Sequence, residues 1–115
     1  IKTFPGAFSQ IITNLVVNSI NHAFKKDQIG HISINIEKED NSLKLAFSDN
    51  GAGIKEEYIN KIFEPFFTTN RDNGGTGLGL HIIYNIVTSQ LNGSINCKSK
   101  LNEGTIFDIR ISTDI

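Results

Sequence analysis

Ile32-Ser33-Ile34-Asn35-Ile36-Glu37 and Leu43-Lys44-Leu45-Ala46-Phe47-Ser48-Asp49-Asn50-Gly51-Ala52-Gly53 decide how this chain folds. Apolar residues alternate with polar ones in both runs, the period of a half-buried strand. The polar stretch Glu39-Asp40-Asn41 lies between them, so the two strands are expected to form an antiparallel hairpin. Directly after the second strand, Asp49-Asn50-Gly51-Ala52-Gly53 admits two readings. Asp and Asn before Gly are ordinary turn chemistry. Equally, a carboxylate at a strand end can accept from an amino group in an apolar pocket, and glycines let the backbone approach a ligand.

Upstream, Phe8, Ile12, Leu15, Ser19 and Ala23 recur at helical spacing behind Pro5. They predict a helix of about five turns ending at Phe24 or Lys25. Gln10, Asn14, Asn18 and Asn21 form a line along it, within about 80° of one another. A solvated face would normally carry Lys and Glu, and asparagine mid-helix has a cost. The line is either an amide-rich surface or a set of hard, uncharged oxygen donors suited to magnesium.

Downstream, Ile54, Tyr58 or Ile59, and Ile62 mark a short helix. Phe63-Glu64-Pro65-Phe66-Phe67-Thr68-Thr69 either staples a loop to the core or hinges a lid. The stretch that follows, Thr68 to Gly75, has the polar, small-residue composition of a loop. Gly74-Gly75-Thr76-Gly77-Leu78-Gly79-Leu80 then opens a second helix carrying Ile83, Val87 and Leu91, which Asn92-Gly93 ends. Glycines at a helix start expose N–H groups that suit phosphate oxygens. No Gly-Lys-Ser/Thr follows and no strand directly precedes, so neither a Walker A loop nor a dinucleotide fingerprint fits. Two closing strands are expected at Ser94–Ser99 and Thr105–Ser112. The fold class is therefore an α/β (α+β) two-layer sandwich, and a doubly wound sheet is disfavoured for want of βαβ alternation.

At 115 residues the chain is read as one domain, 1–115. Net charge is −1 from 11 basic and 12 acidic residues, which gives no nucleic-acid footprint. No apolar run reaches the roughly 20 residues of a membrane span. The single Cys97 excludes an internal disulfide and a cysteine zinc site, and suits a reducing compartment.

Taken together, four segments resemble the motifs of sensor histidine kinases. Asn14-Leu15-Val16-Val17-Asn18-Ser19 resembles their N box, and Asp49 to Ile54 their first glycine box. Phe63 to Thr69 resembles the F box, and Gly75 to Leu80 the second glycine box. Order and spacing match over nearly the whole chain. The resemblance implies the Bergerat (GHKL) ATP-binding fold of gyrase-type topoisomerases, mismatch-repair ATPases and heat-shock chaperones. Its sheet is mixed but mostly antiparallel and packs on about three helices. Because the chain begins almost at the N box, an early strand is expected to be truncated.

The resemblance also implies roles. Asn18 is expected to bind magnesium and, with Asn14, to serve the phosphate site as the catalytic pair. Asp49 is expected to accept from the adenine amino group, assisted by Thr105 through water. Gly51, Gly53 and Ile54 are expected to shape the adenine pocket. Residues 70–76 are the expected ATP lid, and Gly77, Leu78 and Gly79 the expected phosphate donors. Thr68, Thr69, Gly75, Thr76 and Leu80 complete the expected nucleotide-binding set. Asn21 and His22 stand where many relatives carry a lysine and then an aromatic residue; His22 either serves the phosphates or merely packs.

The implied cofactors are ATP and magnesium. The implied activity is transfer of the γ-phosphoryl group to a histidine on separate dimerisation helices, and onward to a response regulator. His31 and His81 lack the acidic neighbour of the acceptor motif and read as structural. The isolated domain is expected to be monomeric, its parent kinase a homodimer, and both cytoplasmic or on the cytoplasmic side of a membrane-anchored sensor. Hydrolysing relatives place a glutamate base where this chain has Asn14, an amide that cannot accept a proton at neutral pH. A degenerate docking module, the remaining alternative, would have lost glycines or the adenine aspartate, and here every box is intact.

Overall fold

Strand β2, Ser42–Asp49, carries the alternation most clearly: Leu43, Leu45, Phe47 and Asp49 are buried, while Ser42, Lys44, Ala46 and Ser48 are partly exposed. The computed structural model describes residues 5–20, 29–65, 67 and 79–112. Within them β2 pairs antiparallel with β1, Ile32–Glu39, through a turn in which Asp40 takes a left-handed φ of 42°. Its other edge pairs with β4, Gly104–Ser112, which in turn pairs with β3, Ser94–Lys100. The strand order is β1-β2-β4-β3, and every pairing is antiparallel.

One face of this sheet packs on helices. α1, Pro5–Asn18, buries Ile11 and Leu15. α3, Gly79–Asn85, buries Ile83 and continues into a π turn, Ile86–Gln90, that buries Ile86 and Val87. α2, Glu56–Ile59, is a single turn leading toward the buried Ile62. Phe47 and Phe107, partners in the β2–β4 register, sit at the middle of the core at 0% and 1% exposure. The end of the second helix is closed by Asn92 at φ 52° and by a bond from the Gly93 N–H to the Val87 carbonyl, 2.8 Å. That is the C-terminal closure the Asn92-Gly93 pair predicts.

One expectation is corrected. β1 forms, but it is not half-buried: Ile34 and Ile36 are 43% and 48% exposed. β1 is an edge strand, and among the described residues it contributes none to the buried core, so its apolar face lies beyond the described helices. The first helix is α-helical over Pro5–Asn18 and continues as a π turn at Ser19 and Ile20; its expected end at Phe24 or Lys25 lies outside the described residues. His31 stands just before β1, and its backbone N–H donates to Asn50 Oδ1 at 2.7 Å.

Gly104 closes the β3–β4 turn at φ 126°, and a Cβ there would run into the Asp49 carbonyl oxygen. Gly104→Ala should therefore destabilise the domain by at least about 1–3 kcal/mol. Gly6→Ala, on an exposed part of α1 with open space around it, should be neutral or stabilising by up to about 1 kcal/mol. Urea unfolding of the two variants checks both values, and equal midpoints would contradict the close approach of the two strands.

Candidate functional site

Asp49 ends β2 on the core-facing side, in the same register as Leu43, Leu45 and Phe47. Its pairing partner on β4 is Thr105, and Thr105 pairs with Ser99 on β3. A polar row thus crosses the sheet one step beyond the Phe47–Phe107 row. Ser19, in the π turn that continues α1, meets it from the helical layer. Ser19, Asp49 and Thr105 are 0%, 9% and 4% exposed and are the buried polar residues among those described.

Each of these groups is satisfied. Asp49 Oδ2 accepts from the Ser19 hydroxyl at 3.0 Å, and Oδ1 accepts from the Gly51 N–H at 2.9 Å. Ser99 Oγ accepts from the Ile54 N–H at 2.7 Å and donates to the Gly104 carbonyl at 2.9 Å. A hydroxyl has one proton, so the 2.8 Å contact between Ser99 and Thr105 must be donated by Thr105. All three hydroxyl protons are then committed to protein acceptors. What remains at this end of the core is acceptor capacity: the carboxylate of Asp49 and the oxygen of Thr105. Such a site favours a ligand edge that donates.

The glycine-rich turn is fixed to the same row. Gly53 has φ 77° and lies so close to the Lys100 carbonyl that a side chain could not fit. Gly51 is buried and needs no positive φ. Asn102, itself at φ 64°, donates from its N–H to the Ala52 carbonyl at 2.7 Å, so the β3–β4 turn and the glycine turn brace each other. Ile54 is half-buried against the core.

Of the amide line, Gln10 is exposed while Asn14 and Asn18 are half-buried, and neither asparagine's side chain hydrogen-bonds to another described residue. Gly79 and Leu80 begin α3, as the second glycine segment requires. Asn21, His22, Thr68, Thr69, Gly75, Thr76, Gly77 and Leu78, with the rest of the expected lid at residues 70–76, lie outside the described residues. Phe63 packs on Tyr84 and, edge-on, on Phe107, with centroids 5.6 and 6.3 Å apart. His81 Nδ1 lies 3.1 Å from the Phe63 carbonyl and must carry the proton, since a carbonyl only accepts. The described part of the F segment is thus tied to the core and to α3.

Sequence reasoning missed Ser19 and Ser99 as site residues. Ser19 left a signal, a hydroxyl at a position whose helical neighbours Leu15 and Ile11 are buried. Ser99 left none, because its partners are set by strand pairing.

Cys97, one register step from Ser99 on the same strand face, has its thiol pKa pushed up to about 12, first by burial and then by the negative charge of Asp49. Between the free-thiol value of 9.0 and about 12 the unfolded chain loses a proton that the folded chain keeps. Stability should therefore fall as pH rises through that window. At pH 8 the native thiolate is therefore scarcer than that of the unfolded chain. Iodoacetamide should label Cys97 slowly in the native domain and rapidly in urea; equal rates would contradict its burial beside Asp49.

Comparison with known proteins gives these features a family. Residues 5–115 match the family described as histidine kinase-, DNA gyrase B-, and HSP90-like ATPase. The chain is 33% identical over 115 residues to sensor histidine kinase ZraS of Escherichia coli, covering all of this chain and 23% of that protein. It is 37% identical over 122 residues to sensor kinase CckA of Brucella abortus, covering 95% of this chain and 13% of that protein. The chain therefore spans less than a quarter of either relative. Its fold resembles the catalytic domain of histidine kinase ThkA, with a TM-score of 0.78 and 34% identity over 94% of this chain and 68% of that one. With the expected two-layer fold and these relatives in agreement, the chain belongs to the histidine kinase-, DNA gyrase B-, and HSP90-like ATPase family.

Proposed function

We propose that residues 1–115 are the catalytic ATP-binding domain of a sensor histidine kinase, which binds magnesium-ATP and donates its γ-phosphoryl group to a histidine on separate dimerisation helices. The observation that carries this is the buried Asp49 carboxylate, held by Ser19 and Gly51 and facing no cation among the described ion pairs. Burying an ionised carboxylate without a cation is costly. Its free acceptor capacity matches the 6-amino group of adenine, with Thr105 accepting from a bridging water.

Asn18 fits magnesium as a neutral oxygen donor from a half-buried helix position, one residue before the residue that anchors Asp49. Among the described residues no group of three or more His, Cys, Asp or Glu offers a competing cage. When bound, magnesium would neutralise the triphosphate and hold its oxygens for in-line displacement. Asn14 would orient phosphate without activating water, which favours transfer over hydrolysis. Gly77, Leu78 and Gly79 would present backbone N–H groups to the phosphates, and residues 70–76 would close over them. The imidazole nitrogen of the partner helices would attack the γ-phosphorus as the bond to ADP breaks. A response regulator would then take the phosphoryl group. The isolated domain would be monomeric and the parent kinase dimeric, with the domain in the cytoplasm. No described helix is long and apolar enough to cross a membrane.

Asp49→Asn should lose a charge-assisted bond worth about 1.5–3 kcal/mol, roughly ten- to 150-fold in ATP affinity. Calorimetry giving wild-type affinity would remove Asp49 from the site. The domain alone should turn ATP over negligibly. Supplied with the parent's dimerisation helices, it should form acid-labile phosphohistidine, and Asn18→Ala should abolish that transfer. Multiple-turnover phosphate release would instead favour an ATPase, and ATP binding without transfer to the parent's own helices would favour a docking module.

A further inference from the structure

Ser19 occupies a position that the packing of α1 reserves for apolar side chains. Ile11 and Leu15 precede it along the same buried side of the helix, and Ser19 itself is 0% exposed. A buried hydroxyl needs a partner. Here the partner is Asp49 Oδ2, thirty residues away and 3.0 Å distant. The helix enters its π turn at this residue, the kind of local widening that re-aims a side chain.

The bond does more than satisfy Ser19. Rotation of an aspartate carboxylate about its last torsion is soft. The Gly51 N–H alone would hold Oδ1 and leave the carboxylate plane free to tilt. A second donor on Oδ2 fixes that plane. It also takes the only proton Ser19 has, so no hydroxyl hydrogen at this point competes with a ligand donor or welcomes a ligand acceptor. Thr105 is set the same way, since its proton goes to Ser99.

We propose that Ser19 is the positioning residue for base selection: by donating to Asp49 Oδ2, it fixes the carboxylate as the acceptor for an exocyclic amino group. The inference rests on Asp49 being the base-recognising group. It assigns to the helix, and not only to the glycine turn, control over which purine is bound. Loss of the Ser19 hydroxyl would leave the triphosphate contacts in place and weaken only the discrimination at position 6 of the base.

The test compares ATP with purine riboside triphosphate, which lacks the 6-amino group, by competition binding to the wild-type domain, Ser19→Ala, Asp49→Asn and the double variant. The wild type should prefer ATP, and Asp49→Asn should erase the preference. Ser19→Ala should cut the preference about three- to tenfold by lowering ATP affinity while leaving the analogue nearly unchanged. The double variant should match Asp49→Asn, because Ser19 acts only through Asp49. Ser19→Cys, of similar volume but a weaker donor, should fall between wild type and alanine, and it serves if the alanine variant does not fold. A preference that survives Asp49→Asn overturns the reading of Asp49 and this inference with it. A preference lost in Asp49→Asn yet intact in Ser19→Ala overturns the inference alone. Equal losses for both nucleotides in Ser19→Ala would reduce Ser19 to a packing residue and also overturn it.

Discussion

Side chains alternate across a strand, so once Leu43, Leu45 and Phe47 face the core, Asp49 must face it too. That constraint puts a carboxylate at the end of an apolar row. A buried, unpartnered charge would be prohibitive. The chain meets the cost with two protein donors, one from the helix and one from the turn that follows. Most of what is distinctive about this end of the domain follows from keeping those donors in place.

The turn donor requires the glycine segment to double back under β3 and β4. Gly53 takes its left-handed φ against the Lys100 carbonyl, and Gly104 closes the adjoining turn against the Asp49 carbonyl. Ser99 ties the two together by bonding Ile54, Gly104 and Thr105 at once. The helix donor requires α1 to lie over the sheet with Ser19 directed inward, which Ile11 and Leu15 secure through the core. Core packing and ligand chemistry are therefore one arrangement: the same strands that bury Phe47 and Phe107 present Asp49 and Thr105 one residue pair further on.

The sheet was legible because period-two alternation is local, and all four strands fall where it puts them. The helix end at Asn92 was legible for a similar reason, since asparagine tolerates the left-handed conformation found there. The exposure of Ile34 and Ile36 was not legible, because alternation reports a strand's two faces and not whether a helix covers one of them. Nor was the π turn at Ser19, which has no sequence signature of its own. In the candidate site, Asp49 stood out as a carboxylate before glycines. Ser19 and Ser99 did not, because their roles depend on partners brought together by tertiary packing or strand pairing.

In the proposed reading, acceptor capacity at Asp49 and Thr105, a neutral amide at Asn18 for magnesium and no carboxylate at position 14 would suit a domain that holds ATP for a histidine on the parent's dimerisation helices and does not hydrolyse it. In this proposal Asp49, anchored by Ser19 and Gly51, reads the adenine amino group. A crystal structure of the domain with a non-hydrolysable ATP analogue tests it most directly. The adenine 6-amino nitrogen should lie about 3 Å from an Asp49 carboxylate oxygen, with the Ser19 bond retained. A base seated elsewhere, or an Asp49 carboxylate turned away from Ser19 in the complex, would contradict it.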